Sequence, residues 1–272
     1  MHHRFIFILS LFFLTWSCRQ VSEQQTDRRP SPTASFQSVF DEYGLEGCFV
    51  LADKSGSIRT YHNQSRADTG FIPASTFKIP NSVIALAEGV VKDTAQVFPW
   101  DGKERAFASW NQDQTLVTAF RRSAAWVYSV FASQIETGTY QQYLNDFNYG
   151  NQDLSGPPTT FWLEGPFRIS ANQQVDFLHR FYHHDLGVDK EQIELVKYLM
   201  LLEEKEGVKW YGKTGAGKQE NGQWILWLVG FVEKGDDVFF YALNFDTDDF
   251  TQYHRKRYDI VEKILQKEGI WP

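Results

Sequence analysis

The eight residues "PASTFKIP", Pro73 to Pro80, govern how the rest of the chain is read. Proline is tolerated in an α-helix only near the first turn, where its missing N–H is not needed, so a helix through Asn81 to Glu88 must begin close to Ser75. On such a helix Lys78 lies one turn beyond Ser75 on the same face, near enough for an amine to meet a hydroxyl. The helix start also favours negative charge. A nucleophilic serine would use both features. A serine that only caps a helix, with a lysine reaching to water, would use neither. The spacing alone leaves both readings open.

Working outward, "GCFVLADKSGSIRTYH" (47–62) reads as two strands turning at Lys54 to Gly56, with Cys48 as a buried strand thiol. After the Ser75 helix, "FPWDGKERAFASWNQDQ" (98–114) reads as a loop-rich excursion. The apolar spacing from Thr115 to Phe147 predicts helices broken near Ser123 and Gly138. Ser170 is a predicted N-cap of an amphipathic helix, and another helix is predicted from Lys190 to Glu204. The pattern then changes to β-rich runs in "VKWYGKTG", "GQWILWLVGFVEKG" and "DDVFFYALNFDT", before a final amphipathic helix from Gln252 to Lys267. Strands at both ends with helices between them predict a mixed α/β fold: one antiparallel sheet flanked by helices, with an inserted helical lobe. The seam between sheet and lobe is where a site is expected, and Ser75 lies at that junction.

With 272 residues and 42% hydrophobic content, the chain can bury a large core without disulfides. Its net charge of -7 argues against a nucleic-acid partner held through a general basic surface. Residues 1–18, "MHHRFIFILSLFFLTWSC", have the basic start and short apolar run of a bacterial export signal. Ser17-Cys18 resembles a lipoprotein cleavage site, so a lipid anchor at Cys18 is expected ahead of a plain signal peptide, with export to the periplasm in either case. Residues 19–35 are polar, as a tether would be, and one catalytic domain is expected over 36–272. Cys48 is the only cysteine besides Cys18, so no intrachain disulfide is expected.

Further along stand Ser123 at a helix break, "YGN" at Tyr149 to Asn151, "FWLEG" at Phe161 to Gly165 and "KTG" at Lys213 to Gly215. S-x-x-K followed in order by a lobe serine and K-T-G marks the penicillin-recognising serine acyl enzymes. With "YGN", "FWLEG", "WDG" at Trp100 to Gly102 and "LVGFVEK" at Leu228 to Lys234, the sequence resembles the class D, oxacillinase-type serine β-lactamases over nearly all of the chain after the tether. That resemblance implies a penicillin-binding, transpeptidase-like fold, a β-lactam small molecule as substrate and hydrolysis giving antibiotic resistance.

Acyl transfer from a strained cyclic amide needs a nucleophile, a base, donors for the oxyanion and a proton for the leaving nitrogen. Lys78 cannot be the base while protonated, and its ordinary pKa of about 10.4 must be lowered, as burial among aromatics would do. The resemblance implies Ser75 as nucleophile and Lys78, carboxylated by carbon dioxide or bicarbonate, as general base of acylation and deacylation, with the Trp162 N–H as donor to the carbamate. No other cofactor and no metal are implied. Ser123 would relay a proton to the leaving nitrogen, while Lys213 and Thr214 would bind the substrate carboxylate. The oxyanion hole would be the N–H groups of Ser75 and of Ala216, the residue after Gly215. A second anion-binding cation is expected at the last helix. Counting back from Ile260 favours Arg257, and counting forward from Asn244 leaves Arg255 open.

The chain departs from the family at the second motif, where S-x-V is usual and Ser123-Ala124-Ala125 stands here. Two methyl groups fewer beside Lys78 would enlarge the pocket or admit water. Taken singly, Trp162 reads as core, "YGN" as a turn and "KTG" as a strand end, but all these readings must hold together to defeat the functional one. Glu164 is the rival base, ranked behind Lys78, and the i, i+4 pair His179 and His183 lacks a third zinc ligand. A penicillin-binding peptidase, or a sensor that acylates without turnover, is the alternative. No membrane-spanning signalling stretch for such a sensor is legible, and no exposed apolar seam specifies an oligomer.

Overall fold

Strands from both ends of the chain pair with each other in the computed structural model of the protein, which describes residues 1–2 and 32–272. The expected export signal, with Cys18, and most of the expected tether lie outside the described residues. Helix α1 (Pro32–Tyr43) begins before the Phe36 at which the folded part was expected. Its Phe36, Val39 and Phe40 form a buried stripe at helical spacing.

The sheet has six strands: β1 (Gly47–Ala52), β2 (Arg59–His62), β5 (Leu201–Lys205), β6 (Val208–Lys218), β7 (Trp224–Lys234) and β8 (Asp237–Thr247). Their order is β2-β1-β8-β7-β6-β5 and every pairing is antiparallel, as the sequence predicted. Alternation along β7 explains the layering. Ile225, Trp227, Val229 and Phe231 face the helical lobe, while Leu226, Leu228 and Val232 face α1 and the C-terminal helix. Each such side chain, once removed from water, contributes roughly 1.5–3 kcal/mol.

Strand β5 is a correction. The helix predicted to reach Glu204 stops at Met200, because its apolar face ends with the buried pair Leu199 and Met200. Beyond it, Leu201–Lys205 gains backbone partners from the edge of β6. The pairing outweighs the helix propensity of "LLEEK".

Between the strand groups lie α2 (Gln64–Ala67), α3 (Lys78–Ala87), the short strands β3 (Val97–Phe98) and β4 (Gln114–Thr115), α4 (Leu116–Arg121), α5 (Ala125–Ser133), α6 (Thr137–Asp146), α7 (Ala171–Tyr182) and α8 (Lys190–Met200). The break at Ser123 is where it was predicted. The next falls at Gln134 to Glu136, and Gly138 sits inside the first turn of α6, where a flexible residue costs least. Ser170 caps α7 in a reciprocal box with Gln173. The last predicted helix is two, α9 (Phe250–Tyr253) and α10 (Lys256–Lys267), with the chain turning at His254 and Arg255.

The sheet holds the segment before Ser75 directly. The indole N–H of Trp227 on β7 donates to the carbonyl of Ile72 at 3.0 Å, both buried. Glycines on β6 let that segment lie close: a Cβ on Gly215 would meet the Pro73 carbonyl at 2.8 Å, and one on Gly217 would meet Ile72 Cγ2 at 2.7 Å. Trp227→Phe leaves the Ile72 carbonyl without its donor and a gap beside it. Urea unfolding should show a loss of about 2–4 kcal/mol, with activity falling further than stability alone explains.

Candidate active site

Ser75 sits in a 3-10 turn, Ala74–Phe77, that runs straight into α3. This refines the expectation of an α-helical first turn. In a 3-10 turn residues i and i+3 eclipse, which stacks Lys78 over Ser75. Lys78 Nζ donates to Ser75 Oγ at 3.2 Å. Pro80 is the third residue of α3, where its missing N–H costs nothing. Ala74, just before the serine, has a φ of 48°, a strained left-handed conformation for a residue with a side chain. Its N–H is fixed on the Trp162 carbonyl at 3.0 Å.

Ser75 is half-buried and Lys78 is fully buried. Phe77 on the same turn stacks on Trp162 and meets Tyr149, Phe161 and Phe167 edge-on, an apolar wall of rings beside the turn. Burial accordingly pushes the Lys78 amine down from 10.5 to about 7. Beneath this wall Trp162 is fully buried, and its indole N–H has no hydrogen-bond partner among the described residues. A buried donor without an acceptor is costly.

Ser123 adopts a φ of 55° in the turn between α4 and α5, and Lys213 Nζ on β6 donates to its hydroxyl at 2.6 Å. Lys213 is buried, and burial first, then the cations Lys78 and Arg257, hold it well below an ordinary lysine. Strand β5 pairs only as far as Tyr211, so the β6 edge from Lys213 through Thr214, Gly215 and Ala216 is not covered by it. The two candidate arginines differ in burial. Arg255 is exposed, whereas Arg257 is buried and donates to the Gly215 carbonyl at 2.7 Å, with burial lowering it to about 10. Among the described residues no carboxylate pairs with Lys78, Lys213 or Arg257. Three buried basic side chains with no carboxylate beside them among the described residues form a site that an anion would suit.

The remaining candidates fall away. Glu164 is exposed and touches none of these groups. The His179 and His183 rings lie tilted to each other with centres 4.5 Å apart, and no group of three His, Cys, Asp or Glu able to hold a metal exists among the described residues. Asp101 of the W-D-G stretch is bound to Arg105 in its own loop. Ala125 opens α5 half-buried.

Tyr149-Gly150-Asn151 has a role that a turn reading misses. Tyr149 is buried against Phe77 and Phe167. Gly150 has a φ of 63°, and a Cβ there would lie 2.4 Å from the Arg168 carbonyl. The Asn151 side chain bridges the Pro166 carbonyl and the Arg168 N–H at 2.9 Å each. The motif is a clamp on the loop that carries Trp162. Cavities flank the cluster: one of about 510 Å³ is lined by Phe120, Lys213, Thr214 and Tyr258, and one of about 870 Å³ by Ile72, Leu163, Arg168 and Lys218.

Known proteins share this arrangement of sequence and fold. The family described as the penicillin binding protein transpeptidase domain matches residues 47–266. The chain is 42% identical to "Beta-lactamase OXA-48" of Klebsiella pneumoniae over 240 residues, 88% of this chain and 89% of that one. It is 39% identical to "Beta-lactamase OXA-10" of Pseudomonas aeruginosa over 239 residues, 87% and 89% respectively. The solved class D β-lactamase YbXI from Nostoc superposes with a TM-score of 0.83 at 32% identity, covering 86% of this chain and 98% of that one. The class D β-lactamase from Sebaldella termitidis superposes with a TM-score of 0.83 at 34% identity, covering 87% and 96%.

The buried amine has a measurable cost. Above about pH 10.5 Lys78 is neutral folded or unfolded and carries no penalty; as pH falls toward 7 only the unfolded state gains the proton, and below 7 the full penalty is present. In carbon-dioxide-free buffer Lys78→Met should therefore be more stable than the parent by a few kcal/mol, on the order expected for such a depressed amine, below pH 7. The advantage should shrink toward pH 10, and a difference in urea midpoint that does not vary with pH would contradict it.

Proposed function

Because the chain belongs to the class D serine β-lactamases, within the penicillin binding protein transpeptidase family, we propose that it hydrolyses β-lactam antibiotics through an acyl-enzyme on Ser75 and so confers resistance. The observation that carries the reading is the fully buried Lys78 amine, 3.2 Å from Ser75 Oγ, with no carboxylate paired to it among the described residues. The substrate's carboxylate docks on Lys213 and Thr214 with Arg257 behind them, which supplies the anion these cations lack. Ser75 Oγ attacks the lactam carbonyl as Lys78 takes its proton, and the N–H groups of Ser75 and Ala216 receive the oxyanion. Ser123, held by Lys213 at 2.6 Å, passes a proton to the departing nitrogen. Water then releases the acyl group, with Lys78 again the base.

Lys78 serves this reaction in its carboxylated form, in which the added carbon dioxide supplies an anionic base beside Ser75. The Trp162 N–H, which has no hydrogen-bond partner among the described residues, supports that fit. Tyr149, Gly150 and Asn151 hold the Trp162 loop in place for it. We place the enzyme outside the cytoplasm, exported through residues 1–18 and anchored by lipid at Cys18.

Hydrolysis of a chromogenic β-lactam by purified protein, with and without added bicarbonate, tests the reading. Turnover should rise with bicarbonate and fall by at least about 10³-fold in Lys78→Ala. A stoichiometric burst, with Ser75 acylated and no turnover in either condition, would instead identify a sensor or peptidase. Mass spectrometry of the acylated peptide locates the acyl group on Ser75.

A further inference from the structure

Lys78 and Ser82 lie four residues apart on α3 and so share a face. Both grip one ring. The Ser82 and Tyr128 hydroxyls are 2.9 Å apart in a hydrogen bond, and Lys78 Nζ stands over the face of the Tyr128 ring, 4.7 Å from its centroid. Tyr128 comes from α5, is fully buried, and meets Phe131 edge-on, so its face is fixed with respect to the amine. A π face attracts an ammonium and gives a neutral amine little in return.

Ser75 Oγ accepts from Nζ and does not discriminate as a ring face does, while Lys213 on β6, itself next to Arg257 of α10, opposes the lysine's charge. Tyr128 is thus the group in this cluster whose ring favours the charged lysine. We propose that Tyr128 is a positioning residue whose ring partly offsets the neutralisation of Lys78 by burial and so sets how much dissolved carbon dioxide is needed to carboxylate it. The inference rests on the reading of Lys78 as a carboxylated base.

The chemistry links the two. In carboxylation the lone pair of the neutral amine forms the N–C bond to carbon dioxide, one C=O electron pair moves onto oxygen, and an amine proton leaves to solvent. An ammonium has no lone pair to give. Stabilising it therefore raises the carbon dioxide requirement, most visibly on the acid side of the amine's titration, at pH 6.

The test is a titration of the purified protein with ¹³C-labelled bicarbonate at pH 6, reading the carbamate resonance by ¹³C NMR against dissolved carbon dioxide. Tyr128→Leu removes the π face and should lower the half-saturating carbon dioxide about five-fold, while Tyr128→Phe, which keeps the ring, should stay within about two-fold of the parent. A merely loosened pocket that admits water would favour the ammonium and move the Leu variant the other way. An unchanged or raised value in Tyr128→Leu overturns the proposal. If that variant does not fold, Tyr128→Met is read in the same way. A parent protein with no carbamate resonance at saturating carbon dioxide overturns the underlying reading of Lys78, a result distinct from a parent that carboxylates and a variant that matches it.

Discussion

One constraint organises the molecule: an amine must be kept out of water beside a serine hydroxyl, without a carboxylate to balance it. Lys78 is fully buried and 3.2 Å from Ser75 Oγ, and its amine is held near 7. A salt bridge would have been the cheaper way to bury a lysine, but it would lock the amine in its charged, useless form. The protein surrounds it with rings, and cations stand where a counter-ion would be.

Much of the surrounding structure serves that arrangement. The aromatic wall on Phe77 excludes water, and the Tyr149-Gly150-Asn151 clamp holds the Trp162 loop against it. Trp227 ties the sheet to the chain before Ser75, while Gly215 and Gly217 let β6 approach the same turn. Ala74 and Ser123 both take left-handed backbone conformations at the site. Such strain costs of order 1–3 kcal/mol per residue and persists only where surrounding contacts dictate it. The stability lost here is made good by two large apolar cores on either face of the sheet.

The chemistry was legible in sequence where it depends on local spacing. Ser75 and Lys78 are three residues apart, so any helical turn brings them together. Lys213 and Ser123 are separated by 90 residues, and their meeting could be inferred only from resemblance. Arg257 was separable from Arg255 only by how the start of α10 packs, which buries Arg257 and leaves Arg255, in the turn before it, exposed. The sheet and the helical lobe followed from periodicity, yet β5 did not, since an edge strand's stability resides in its partner. Tyr128 was in plain view five residues after Ser123, but its contact with Lys78 depends on how α5 packs on α3. The tether-side start of α1 was missed for a similar reason: its apolar stripe acquires meaning only beside α10.

The central claim, that burial alone delivers a neutral lysine beside the nucleophile, is most directly tested by titrating Lys78 itself. Protein labelled with ¹³C at lysine Cε, in carbon-dioxide-free buffer, gives the protonation state of each lysine from its chemical shift, and comparison with Lys78→Met assigns the resonance. The expected midpoint is near 7. A midpoint close to the ordinary 10.5 would mean that the amine stays charged at neutral pH, and that the Ser75–Lys78 contact is not a nucleophile and its base.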